Sequence, residues 1–86
     1  MKEDKIGIVS NYFGQISVAA IEITDGTLSV GDKIDFLGHT TEYETVVHSM
    51  QIDYKSITTA KKGDSVGVKV PEKVREGDKV YKIVAD

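Results

Sequence analysis

Apolar side chains in this chain recur in short runs at a spacing of two, broken by turn-forming residues every ten or so positions. That period belongs to strands with one face turned toward a core. The clearest case is Val66-Gly67-Val68-Lys69-Val70, with its three valines on one side. Pro71 follows and ends the run, because proline cannot donate to a ladder. Lys79 to Val84 alternates as Val80, Lys82, Val84 on one face and Tyr81, Ile83 on the other. Ile34 and Phe36 point inward from Lys33–Leu37, and Lys5–Ser10 reads as a first strand. Asn11-Tyr12-Phe13-Gly14 reads as a turn. In Gln15–Thr24, Ile16, Val18 and Ala20 share a face, while Ile21 and Ile23 shift the phase, which predicts a bulge near Ala19-Ala20. Glu42–Tyr54 is the longest extended stretch, with Val47, Met50 and Ile52 inward and a second bulge expected at His48-Ser49. Ser56–Lys62 reads as a bridge, and Glu72–Glu76 as a connector of one helical turn.

The punctuation is repetitive. Gly31-Asp32, Gly63-Asp64 and Gly77-Asp78 each stand just before a β-branched strand. Glycine takes φ > 0 without steric cost, and an aspartate can bond a backbone amide two residues on and hold the turn shut.

The composition strengthens the strand reading. Eleven valines and nine isoleucines stand against two leucines, and β-branched residues suit a pleated surface better than a helix. The fold expected is all-β: a small closed antiparallel β-barrel of six to seven strands. Residues 1–4 are expected to be a charged tail and residues 5–86 a single domain. The absence of cysteine excludes disulfides, thiolate metal sites and thiol nucleophiles. The charged start is unlike a signal peptide, and no apolar run reaches the ~20 residues that span a bilayer. A cytoplasmic protein without a membrane partner is therefore expected. A net charge of −3 argues against general nucleic-acid coating, which depends on neutralising phosphates. Few amides and many charges match the composition of heat-adapted proteins.

Five segments carry a resemblance. They are Ile6–Val9, Gly26–Ile34, Val47–Gln51, Ala60–Val68 and Val74–Val80, in that order. Together they resemble the second domain of translational GTPases, the EF-Tu domain 2-like barrel, and look most like the compact stand-alone versions called elongation-factor-like proteins. A similar barrel ends some collagenase-like peptidases as an accessory domain. The resemblance implies a noncatalytic binding module that contacts RNA, the ribosome or another translation component. It does not imply GTPase activity: no Gly-x-x-x-x-Gly-Lys-Ser/Thr stretch is present to cradle phosphates, so no nucleotide and no other cofactor is expected. The opening hairpin departs from the factors, with Asn11-Tyr12-Phe13-Gly14 in place of an Arg-Gly.

By pattern, Gln51 corresponds to the acidic residue that lies beside the terminal base of tRNA in the factors, and an amide can both donate and accept there. The RNA-facing surface implied is the segment Phe36–Tyr43, with His39 and Tyr43, together with Gln51. Tyr12 and Phe13 offer an alternative, since aromatics at a turn can stack on bases or anchor a protein partner. In that reading the chain is a docking module for a larger enzyme. His39 and His48 lie on separate segments without ligand spacing, so they read as exposed polar residues and no metal is expected. No Ser, His and Asp set marks a nucleophile, and a catalytic role is not expected. Lys61-Lys62 reads as a solvated pair, and Arg75 as a surface ion-pair partner.

Overall fold

The computed structural model describes residues 2–39 and 41–84, without the Lys2 side chain. Ten strands follow one another: β1 (Lys2–Phe13), β2 (Val18–Ile23), β3 (Thr27–Ser29), β4 (Lys33–Leu37), β5 (Glu42–Val46), β6 (Met50–Ile52), β7 (Lys55–Ile57), β8 (Thr59–Lys61), β9 (Ser65–Lys69) and β10 (Lys79–Val84). Eight form one sheet in the order β5-β4-β10-β1-β2-β9-β6-β7, and β3 pairs with β8 in a separate ribbon. Every pairing is antiparallel. The all-β expectation stands. The closed barrel of six to seven strands does not: among the described residues no ladder joins β5 to β7. The chain leaves strand geometry over Val47–Ser49, and the hydrogen bonds nearby only prolong existing pairings, the Val30 amide to the Thr58 carbonyl (2.9 Å) beyond β3–β8 and the Gly31 amide to the Val47 carbonyl (2.8 Å) beyond β4–β5. Twist curls an eight-stranded sheet around a shared core without needing its edges to pair.

The core gathers inward residues from both sheets. Phe36, Ile21, Ile23, Leu28, Ile34 and Met50 are its largest fully buried side chains. Tyr12, Tyr43, Ile52 and Ile57 pack against it, partly buried.

The three Gly-Asp pairs build one device three times. Gly31, Gly63 and Gly77 have φ of 97°, 95° and 92°, a region closed to most side chains. The aspartate carboxylates accept from amides three residues back: Ser29 to Asp32 at 2.8 Å, Lys61 to Asp64 at 3.0 Å and Arg75 to Asp78 at 2.8 Å. The direction is thus the reverse of the forward Asx bond expected from the sequence. Each pair is also tied to a core residue on another segment. The glycine amides donate to the carbonyls of Val47, Ile23 and Val9, and the amides of the same three residues donate back to the carbonyls of Asp32, Asp64 and Asp78, all at 2.8–2.9 Å. Three turns distant in sequence thereby fix three core positions.

Other expectations moved. Lys2–Asp4, expected in a tail, pair with Lys82–Val84. Asn11–Phe13 extend β1 instead of turning. The turn is Gly14–Ser17, which takes Gln15 and Ile16 out of the strand. The bulge foreseen at Ala19-Ala20 lies in the opposite strand, between Val9 and Asn11, where the Ser10 hydroxyl donates to the Ala20 carbonyl at 3.2 Å. Glu42–Tyr54 breaks into β5 and β6 and ends in a tight turn, with Asp53 and Tyr54 at φ 51° and 64°. Ser56–Lys62 contains two short strands, and Glu72–Glu76 has no helical turn.

Candidate docking surface on the outer sheet face

Strand pairing aligns residues from distant segments into rungs. One rung is Phe13, Val18 and Lys69; the next is Asn11, Ala20, Gly67, Gln51 and Ser56. Between these two rungs along the strands lies the alternate set Ala19, Val68 and Met50, all buried, so the two rungs themselves face outward. Gly67 keeps the second rung shallow. A methyl there would sit 3.1 Å from Val18 Cγ1, so Val18 lies over the glycine.

The hairpin tip rises at the end of these rungs. Ile16 is 59% and Phe13 46% exposed. The tip is held in shape: the Ile16 amide donates to the Phe13 carbonyl at 3.3 Å, and the Val70 amide to the Ser17 carbonyl at 2.9 Å. Beside it opens a cleft of about 390 Å³, lined by Ser17, His48, Ser49, Lys69, Val70 and Pro71. Two large apolar side chains on a braced turn above a cleft can bury area against a partner at little cost in ordering.

The residues nominated from sequence divide into two groups. Gln51 is exposed on the outward rung. Phe13 stands at the tip, while Tyr12 is half-buried and packs on the core. Tyr43 and His39 lie elsewhere, on β5 and in the β4–β5 turn. Tyr43 is half-buried with its ring stacked over Phe36, centroids 6.4 Å apart and planes within 14°. Phe36 itself is fully buried, so the segment Phe36–Tyr43 is not a continuous contact face. Gln51 is also remote from it in the ladder, with β10, β1, β2 and β9 standing between β4 and β6. Ile16 was missed because its alternation with Val18 and Ala20 read as one face of a strand; Gly14, which opens the turn, was the signal that could have found it.

Two further clefts carry less. One of about 490 Å³ runs past Asp4, Lys5, Ile6, Asp25, Gly26, Thr27, Lys82 and Val84, where Lys82 Nζ lies 3.3 Å from Asp32 and 3.4 Å from the Thr27 carbonyl. The other, about 290 Å³, lies between Thr41–Tyr43 and Glu72, Lys73 and Arg75. Among the described residues no three His, Asp or Glu side chains are grouped to hold a metal ion. Asp35 lies on the outer face of β4, between the buried Ile34 and Phe36. Burial raises its pKa, and the carboxylates of Glu3, Glu44 and Glu42 raise it further, with a hydrogen bond to Glu3 favouring the protonated acid.

Comparison with known proteins shows where this architecture recurs. No protein-family model matches the chain. It is 50% identical over 78 residues to an uncharacterized protease of Methanocaldococcus jannaschii, a match that covers 90% of this chain and 19% of that protein. It is 35% identical over 78 residues to a collagenase of Porphyromonas gingivalis, covering 90% of this chain and 22% of the collagenase. The chain thus spans about a fifth of the length of these curated relatives. Among solved structures, two of the C-terminal domain of a Geobacillus thermoleovorans protein assigned as a U32 peptidase superpose with TM-scores of 0.86 and 0.83. They share 17% and 18% identity and cover 94% and 90% of this chain. At that identity the superposition speaks for the fold.

These findings overturn the resemblance to translation-factor barrels, leave the RNA and ribosome partners it implied without support, and are consistent with the protein-partner alternative. The relatives are named as a protease and as collagenases, and nothing among them points to RNA, a ribosome or a translation factor. The physical reason lies in the five segments themselves. Three contain the Gly-Asp devices, so the resemblance followed turn chemistry that is not specific to one family.

Proposed function

We propose that this chain is a noncatalytic docking module of a larger peptidase-type protein. The observation that supports it best is the 50% identity, spread over nine-tenths of this chain, to one-fifth of a protein named as a protease. A stretch of that size inside a longer chain is a module, and its partner is the remainder of that protein. The hairpin tip of Phe13 and Ile16, with the outward rung of Gln51, is the contact surface in this reading. Apolar anchors on a rigid turn drive association by burial rather than charge, so the contact resists salt.

The test uses the M. jannaschii relative expressed without the matched stretch, titrated calorimetrically with this chain. The expected result is a one-to-one complex whose affinity changes less than about threefold between low and high salt. Replacing both Phe13 and Ile16 by alanine is expected to weaken it at least about tenfold. Absence of a complex, or one that dissolves in salt, would overturn the reading.

A further inference from the structure

We propose that the free edge of β5 accepts an added strand from an extended cationic segment of a partner protein. The edge is the longer of the two that the eight-stranded sheet leaves unpaired among the described residues: five residues in β5 against three in β7. Its other side is fully zipped to β4, from Lys33 opposite Val46 to Leu37 opposite Glu42, with no shift of register. A straight, supported edge presents a row of backbone donors and acceptors, which is the template for strand addition.

The side chains say what the added strand would carry. Glu42 and Glu44 alternate with the half-buried Tyr43 and Thr45. A strand laid along β5 would therefore meet carboxylates at two of the three outward positions, Glu42 and Glu44, and the exposed Val46 at the third. Asp35 stands opposite Glu44 on the next strand; burial raises its pKa first, and the nearby carboxylates of Glu3, Glu44 and Glu42 raise it further, which places four carboxylates close together on this face. Lys33 pairs with Glu44 at 2.9 Å, but both side chains are about half exposed and the pair is open to competition. Opposite charges directly across a strand pair stabilise it and like charges destabilise it. The same rule disfavours a second copy of this chain, since antiparallel self-pairing centred on Tyr43 or Glu44 would set glutamate against glutamate. The occupant that fits is a segment with a cation at alternate positions and small polar residues between. This site shares no residue with the hairpin surface, and β4 and β10 lie between it and β1 in the sheet.

The experiment titrates isotope-labelled chain with a blocked peptide of alternating lysine and threonine, followed by amide chemical shifts and exchange. A peptide of alternating glutamate and threonine is the control. The lysine peptide is expected to shift and protect amides within Glu42–Val46, and to bind at least about fivefold tighter than the glutamate peptide. Glu42→Lys with Glu44→Lys, both exposed changes, is expected to reverse that preference. Perturbation at β7 or the hairpin instead, equal binding of the two peptides, no binding of either, or a variant that keeps the original preference would overturn the proposal.

Discussion

Asp78 is 4% exposed and holds the most constrained of the three Gly-Asp devices. Its carboxylate takes the Arg75 amide and packs against Gly38, where an added methyl would collide with it. Asp78→Ala should therefore lower stability by about 2 kcal/mol, the loss of a charge-assisted hydrogen bond that leaves a donor unpaired. The matching change at the more exposed Asp64 should lose about 1 kcal/mol or less, since water replaces the carboxylate. Gly38→Ala should be comparably harmful alone and less than additive with Asp78→Ala, because removing the carboxylate removes the clash. Urea denaturation of the four variants checks this; strict additivity would mean the two residues do not meet. Asp35 gives a test in pH. Its folded pKa lies above 3.8, so the native state binds more protons than the unfolded state between 3.8 and the raised value, and stability falls as pH rises through that window. Asp35→Asn should raise the melting temperature at neutral pH, with the difference from the parent vanishing below pH 3.8. A melting temperature that falls at neutral pH would show that the carboxylate is stabilising.

At the scale of elements, the sequence was most readable where one residue type does one job. The Gly-Asp pairs marked their turns, and the Val66–Val70 and Lys79–Val84 alternations marked β9 and β10. It was least readable where tertiary pairing decides. The three-residue strands β7 and β8 hold too few positions to show a period, and gain their structure from β6 and β3 across the ladder. The phase shift in Ile21 and Ile23 was a real signal with an ambiguous location, because a bulge in either partner changes the same register. The candidate surface suffered in the same way. Phe13 was visible as an aromatic near a glycine, but its alignment with Val18 and Lys69 depends on pairing that no local pattern encodes. The turn joining β6 to β7 was hidden because it uses Asp53-Tyr54 where Asn-Gly would be usual. Tyr54 stands at φ 64° and is 97% exposed, so its side chain pays for little in contacts. Tyr54→Gly should stabilise the domain by about 0.5–1 kcal/mol through relief of left-handed strain, read as a higher denaturant midpoint. A lower midpoint would mean that the ring makes contacts worth more than the strain.

Considered as a whole, the molecule presents two surfaces with different physics. The hairpin tip is apolar and short-ranged; the β5 edge offers backbone groups flanked by carboxylates. β1 belongs to the hairpin, and β10 and β4 lie between it and β5, so neither surface shares a residue with the other. Contacts so separated should contribute independently. Alanines at Phe13 and Ile16 should weaken capture of the protease body while leaving the lysine–threonine peptide's affinity within about twofold, and the Glu42→Lys, Glu44→Lys pair should do the reverse. Salt should separate them again: raising ionic strength from about 0.1 M to about 1 M shortens screening from roughly 10 Å to 3 Å and should affect the edge far more than the tip. The combined four-residue variant should show the sum of the two losses, with each partner still able to bind while the other is present. Competition between the peptide and the protease body would instead mean that the body itself reaches the β5 edge. The two surfaces would then be one interface wrapped around β4, β10 and β1, and the cationic strand would be sought within the protease chain.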